Sequence, residues 1–75
     1  DSRLAAFLVG EAQLNDTTEL RLTHEEIAHH LGSAREVVTR MLKYFQTEKM
    51  VLIARGCITL LDMDKLREVA KDSLR

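Results

Sequence analysis

Arg35, Glu36, Arg40 and Lys43 are the side chains of this chain whose types and spacing could best do chemistry. An Arg guanidinium pairs bidentately with guanine O6 and N7, and a carboxylate accepts from cytosine N4. Thr39 can touch a thymine methyl or a phosphate, and Lys43 suits backbone phosphates, which position a protein without specifying sequence. With Arg35 at zero and about 100° per residue, Gln46, Thr39, Lys43, Glu36, Thr47 and Arg40 fall between about 0° and about 140°. Val37, Met41, Ala34, Phe45, Val38 and Leu42 fall between about 200° and about 340°, with Tyr44 at the border. One helix thus carries a core side and a charged side, and an α-helix fits the DNA major groove. An ordinary amphipathic helix with a solvated face has the same pattern. Ser33-x-x-Glu36 is itself a capping box, and Arg40 can pair with Glu36 one turn away.

Other chemistries find less support. His24, His29 and His30 with Cys57 invite a metal reading, but the histidines do not share a helix face at the four-residue spacing of zinc ligands. Histidines exposed near DNA phosphates, and Cys57 as a half-buried small hydrophobe, fit better. The chain has no Gly-rich phosphate loop, no Ser/His/Asp set and no carboxylate pair in a plausible cleft. No metal site and no enzymatic activity are expected. Met41, Met50 and Met63 read as core filler.

The elements that must position the charged helix follow from local signals. Residues 2–14 read as a helix capped by Ser2 or Asp1, ended by the polar run Asn15 to Thr18. Glu19 to Leu22 alternates and predicts one short strand. Thr23-His24-Glu25-Glu26 is a capping box opening a second helix, which packs through Ile27, Ala28 and Leu31 and stops at Gly32. Ser33 is expected to cap the charged helix, which runs to about Thr47. A connection this short around Gly sets the two helices at a steep angle. Val51 to Ala54 and Cys57 to Leu61 flank Arg55-Gly56 and predict a hairpin. Asp62 caps a last helix, from Met63 to about Ser73, packing through Leu66, Val69 and Ala70. The expected architecture is mainly α with a small β-hairpin: a winged helix-turn-helix with a three-helix core plus a C-terminal helix.

Length and composition agree. At 75 residues the chain holds one small domain, and 45% apolar with 31% charged residues predicts a soluble folded unit. There is no Pro to interrupt helices, and no apolar run approaches the roughly 20 residues that cross a bilayer. No secretion signal is apparent, and the single Cys57 points to a reducing compartment, so a cytoplasmic location is expected. The net charge of −1 is unevenly spread. Residues 33–56 carry five basic and two acidic side chains, net +3, against net −4 elsewhere. A local positive field on an acidic body suits a small DNA reader. The start at Asp1 without Met suggests an excised domain whose sensing part lies elsewhere.

The run Leu22-Thr23-His24-Glu25-Glu26-Ile27-Ala28-His29-His30-Leu31-Gly32-Ser33-Ala34-Arg35-Glu36-Val37-Val38-Thr39-Arg40-Met41-Leu42 resembles the helix-turn-helix signature of the Crp/Fnr (catabolite-activator) regulators. The wing Ile53 to Leu60 and the trailing Asp62 to Leu66 match the same pattern, so the resemblance covers nearly all of the chain. It implies a winged helix-turn-helix DNA-binding domain over 1–75, with the helix-turn-helix at about 23–47 and the wing at about 51–61. It implies sequence-specific binding of double-stranded DNA for transcription regulation, with the helix at about 34–47 in the major groove. Arg35, Glu36 and Arg40 would read bases, while Thr23, Ser33, Thr39, Lys43 and Arg55 hold the backbone. Val37, Ala34 and Glu25 depart from common choices in the family, which bears on the fine contact set rather than on docking. The resemblance further implies a homodimer in the full-length protein, a palindromic operator, RNA polymerase as a further partner, and no membrane association. No cofactor is expected in this domain, any effector binding the absent N-terminal sensor. The rival reading is a winged-helix protein-interaction module without DNA binding, which calls for an apolar outward face on the charged helix.

Overall fold

The computed structural model describes residues 1–71. Four helices and three short strands run in the order α1 (Ser2–Asn15), β1 (Glu19–Leu20), α2 (His24–Leu31), α3 (Arg35–Thr47), β2 (Val51–Ala54), β3 (Cys57–Leu60) and α4 (Met63–Ala70). The expected winged helix-turn-helix is what forms. The predicted extent of α4 to Ser73 falls outside the described residues.

A single core joins every element. Leu4, Leu8, Ile27, Val38, Leu42, Phe45, Met50, Val51, Ile58 and Leu66 are essentially inaccessible. Burying each such side chain contributes about 1.5–3 kcal/mol relative to leaving it in water. α1 packs chiefly on α4, and α2 on α3. A polar clamp ties these pairs together, since Arg3 Nη2 donates to Leu31 O at 2.7 Å, bridging α1 to the end of α2.

The ends of the helices set the angles between them. After α2, Gly32 turns left-handed at φ +66. Its N–H donates to His29 O at 3.3 Å, and the Ser33 N–H donates back to Ala28 O at 2.9 Å. These two reversed bonds satisfy carbonyls the helix would otherwise leave open, and Gly adopts the geometry at no steric cost. α3 closes in the same manner through Lys49 at φ +61, with the Met50 N–H donating to Phe45 O at 2.8 Å.

The expected short strand and hairpin join in one three-stranded sheet. β3 is central, paired antiparallel to β2 (Val51↔Leu60 through Ala54↔Cys57) and to β1 (Glu19↔Thr59, Leu20↔Ile58). β1 is only two residues long, although the alternation extends to Leu22. Continuing the register places Arg21 opposite Cys57, the first residue of β3, and Leu22 opposite Gly56 in the wing turn, so at most one further pair could form. Leu61, placed in β3 by its apolar character, lies beyond the strand and is exposed. Gly56, at φ +67, takes the left-handed position in the two-residue wing turn.

Phe45→Ala removes the largest fully buried side chain and is expected to lower unfolding free energy by about 3–5 kcal/mol. Gly32→Ala, which meets no clash but must hold φ positive, should cost roughly 1–2 kcal/mol. Urea titration followed by circular dichroism measures both, and an unchanged midpoint in Gly32→Ala would contradict the turn's role.

Candidate nucleic-acid interface

α2 opens with the reciprocal cap its sequence predicts. The Glu26 N–H donates to Thr23 Oγ1 at 3.1 Å, and the Thr23 N–H donates to Glu26 Oε1 at 2.9 Å. That second bond, which favours the charged form, holds the Glu26 carboxyl below its ordinary range.

The expected cap of α3 is corrected by the structure. Ala34, not Ser33, is the N-cap residue, and no side chain caps this helix. Ser33 is committed to the turn that closes α2, its N–H bonded to Ala28 O, so it lies one residue too early to reach the first turn of α3. The Ser33–Glu36 capping box therefore does not form. The Ala34 carbonyl accepts from the Val37 and Val38 N–H groups at 3.1 and 3.2 Å, and the first turn of α3 starts without a side-chain ligand. Unoccupied N–H groups at a helix start favour an anion.

Arg35, Glu36, Arg40 and Lys43 are all exposed, and with half-buried Thr39 they line one open groove along α3. Among the described residues no ion pair joins Arg40 to Glu36 or involves any residue of α3, so both guanidinium groups stand free of carboxylates. The hairpin does not wall them off. It stands beside the start of α3, where Thr23, His24, Arg35, Arg55 and Gly56 line a second cleft.

Three residues behave differently from the helical-wheel expectation. Val37 and Ala34, assigned to the core side, are exposed, Val37 at 39%. The buried strip of α3 is Val38, Leu42 and Phe45, narrower than its apolar sector: Met41 packs against the core edge, while Val37 and Tyr44 stay exposed along a shallow groove shared with Asp1. Gln46, on the charged side, is used structurally: its Oε1 accepts from the Ile53 N–H at 2.7 Å and fastens the end of α3 to the wing.

Sequence reasoning set His24 among histidines near DNA phosphates but missed its contact with α3. Its Nδ1 lies 2.9 Å from Thr39 Oγ1, which joins the starts of the two helices through side chains 15 residues apart. Partial burial, and then the Arg35 charge, push the His24 pKa below its ordinary value. No local pattern signals a contact between residues this far apart, since it exists only once the Gly32 turn has formed. The His30 ring packs at a tilt against Phe7, with centroids 4.4 Å apart.

A tri-helical core whose second and third helices meet at a tight Gly turn, with the third exposed and a hairpin beside it, is a winged helix-turn-helix. The model of the Crp-like helix-turn-helix domain matches residues 2–69. The chain belongs to that family, the DNA-binding helix-turn-helix domains of transcription regulators. It is similar to the transcriptional regulator SdrP of Thermus thermophilus, 38% identical over 52 residues that cover 69% of this chain and 26% of that protein. It is also similar to the transcriptional regulatory protein btr of Bordetella pertussis, 33% identical, covering 92% of this chain and 31% of that one. Among solved structures, a Crp/Fnr-family transcriptional regulator from Eubacterium rectale superimposes with a TM-score of 0.91 at 51% identity, over 93% of this chain and 32% of its own. The Thermus thermophilus catabolite activator protein gives 0.89 at 25% identity, over 95% of this chain and 33% of its own. The chain thus spans about a quarter to a third of the length of these relatives.

The two candidate caps should respond differently to truncation. Thr23→Ala is expected to cost about 1 kcal/mol, as losing a working cap does. Ser33→Ala should stay within about 0.5 kcal/mol, the ordinary range for a surface change. Thermal melts of the two variants separate the assignments, and equal losses would contradict them.

Proposed function

We propose that this chain docks α3 into the major groove of duplex DNA and reads a specific sequence there, as the DNA-binding part of a cytoplasmic transcription regulator. The observation that carries the reading is the open row Arg35, Glu36, Thr39, Arg40 and Lys43 on the outward side of α3, whose charged members make no ion pair among the described residues. In this reading Arg35, Glu36 and Arg40 meet base edges. Thr23, Ser33, Thr39, Lys43 and Arg55 meet backbone phosphates, Ser33 through a hydroxyl that capping does not use and Thr39 beside His24. The rival, a protein-interaction module, calls for an apolar outward face, and the groove along α3 is lined by charged and hydroxyl side chains instead.

The full-length protein is proposed to be a homodimer on a palindromic operator, with half-sites one helical turn or a multiple apart. Its effector would bind outside this domain, and RNA polymerase would be a partner at the promoter.

Selection from a random duplex pool at stated salt, with the chain dimerised through a fused linker, tests the reading. Enrichment of one motif is expected, and failure to enrich any would overturn it. On the selected duplex, Arg40→Ala should cost roughly 1–3 kcal/mol and relax preference at one base pair. Lys43→Ala should weaken all duplexes alike and reduce the slope of log K against log salt by about 1.

A further inference from the structure

The cleft between the start of α2 and the wing is separate from the groove along α3, although Arg35 lines both. Two arginines, Arg35 and Arg55, come to it from different elements, and Thr23 and His24 line it at the α2 start. None of its lining residues is acidic. We propose that this cleft holds one backbone phosphodiester of the bound duplex, and that His24 takes up a proton when the phosphate enters.

The inference rests on the DNA-binding reading and adds to it a ligand, His24, and a dependence on pH. The imidazole is held in place by Thr39, a hydroxyl that serves either protonation state because it both donates and accepts. Among the described residues the ring's Nε2 has no partner. Every charged group facing His24 across the cleft is cationic: Arg35 from α3 and Arg55 from the wing. The nearest carboxylates in sequence, Glu25 and Glu26, line a different groove with Glu11, His29 and His30.

In the free chain, partial burial and Arg35 together favour neutral imidazole, so His24 is largely uncharged at neutral pH. A phosphodiester stays anionic throughout this range. Held by Arg55 and the ring, beside the Arg35 guanidinium that goes on to the bases, it offsets the repulsion among these cations and favours the imidazolium, which raises the His24 pKa. Binding and protonation are then reciprocal. Affinity rises as pH falls through the bound-state pKa and levels off below the free-state pKa, the reverse of a carboxylate linkage.

The test uses the duplex enriched above, at constant ionic strength, from about pH 8 to about pH 5.5, the range in which His titrates. For the native chain, affinity per domain should rise about threefold to tenfold across this range, a pKa shift of up to about one unit. His24→Gln should bind more weakly with a flat profile at this site, and His24→Arg should bind tightly with the same flat profile. His29→Gln, outside the cleft, should keep the native slope. The His24 ring proton shifts, followed by NMR with and without duplex, should report a higher pKa in the complex. A native affinity that does not change with pH, or a slope retained in His24→Gln, overturns the protonation site and leaves the DNA reading intact. Absence of any enriched duplex overturns both. Circular dichroism melts of the two His24 variants confirm that a flat profile comes from folded protein.

Discussion

The connection between α2 and α3 governs the interface because it has almost no freedom. Gly32 is left-handed, Ser33 is bonded back to Ala28, and α3 begins two residues later. Rotation at Gly32 breaks a bond of the closing turn, and only Ser33 and Ala34 separate it from α3. The direction of α3 is therefore inherited from the C-terminus of α2, which is held in turn by the Arg3 bond to Leu31 O. The same device recurs after α1 at Asp16 and after α3 at Lys49, both left-handed without being Gly. An L-residue in that conformation carries steric strain, and the bonds it enables at the helix end offset it. Three successive helices thus end in tight reversals, which lets 71 described residues enclose one core with no long loop.

Much of this was legible locally. The Thr23–Glu26 box, the stop at Gly32, the wing turn at Arg55-Gly56 and the cap at Asp62 each depend on residues within a few positions of one another, and each forms. So does the exposure of the charged side of α3, which helical periodicity displays directly. What went unread needed knowledge of neighbours. Ser33 has the right chemistry for a cap and the right distance from Glu36, but two motifs compete for it, and the closing turn of α2 wins because it forms with backbone groups alone. Val37 is apolar and lies on the apolar sector of α3, yet periodicity gives the width of a sector, not the width of what covers it. β1 stops at Leu20 although the register still offers Cys57 to Arg21, so alternation alone does not set its length. The His24–Thr39 contact spans 15 residues and has no counterpart in any local pattern.

The two grooves on either side of Arg35 divide recognition into parts with different physics. The groove along α3 carries the unpaired Arg40 and Glu36, whose value depends on meeting particular base edges. The cleft at the wing carries a ring and the Arg55 guanidinium, whose natural ligand is the phosphate common to every nucleotide. The distance between them is fixed on both sides of the helix. At the start of α3, His24 and Thr39 brace it against α2, and at its end the Ile53 N–H bond to Gln46 and the reversal at Lys49 brace it against the wing. A helix held at both ends cannot slide along its own axis to improve one contact at the expense of another. A phosphate seated in the cleft then sets the register at which Arg40 meets a base, and the wing contributes to sequence reading although it need touch no base itself.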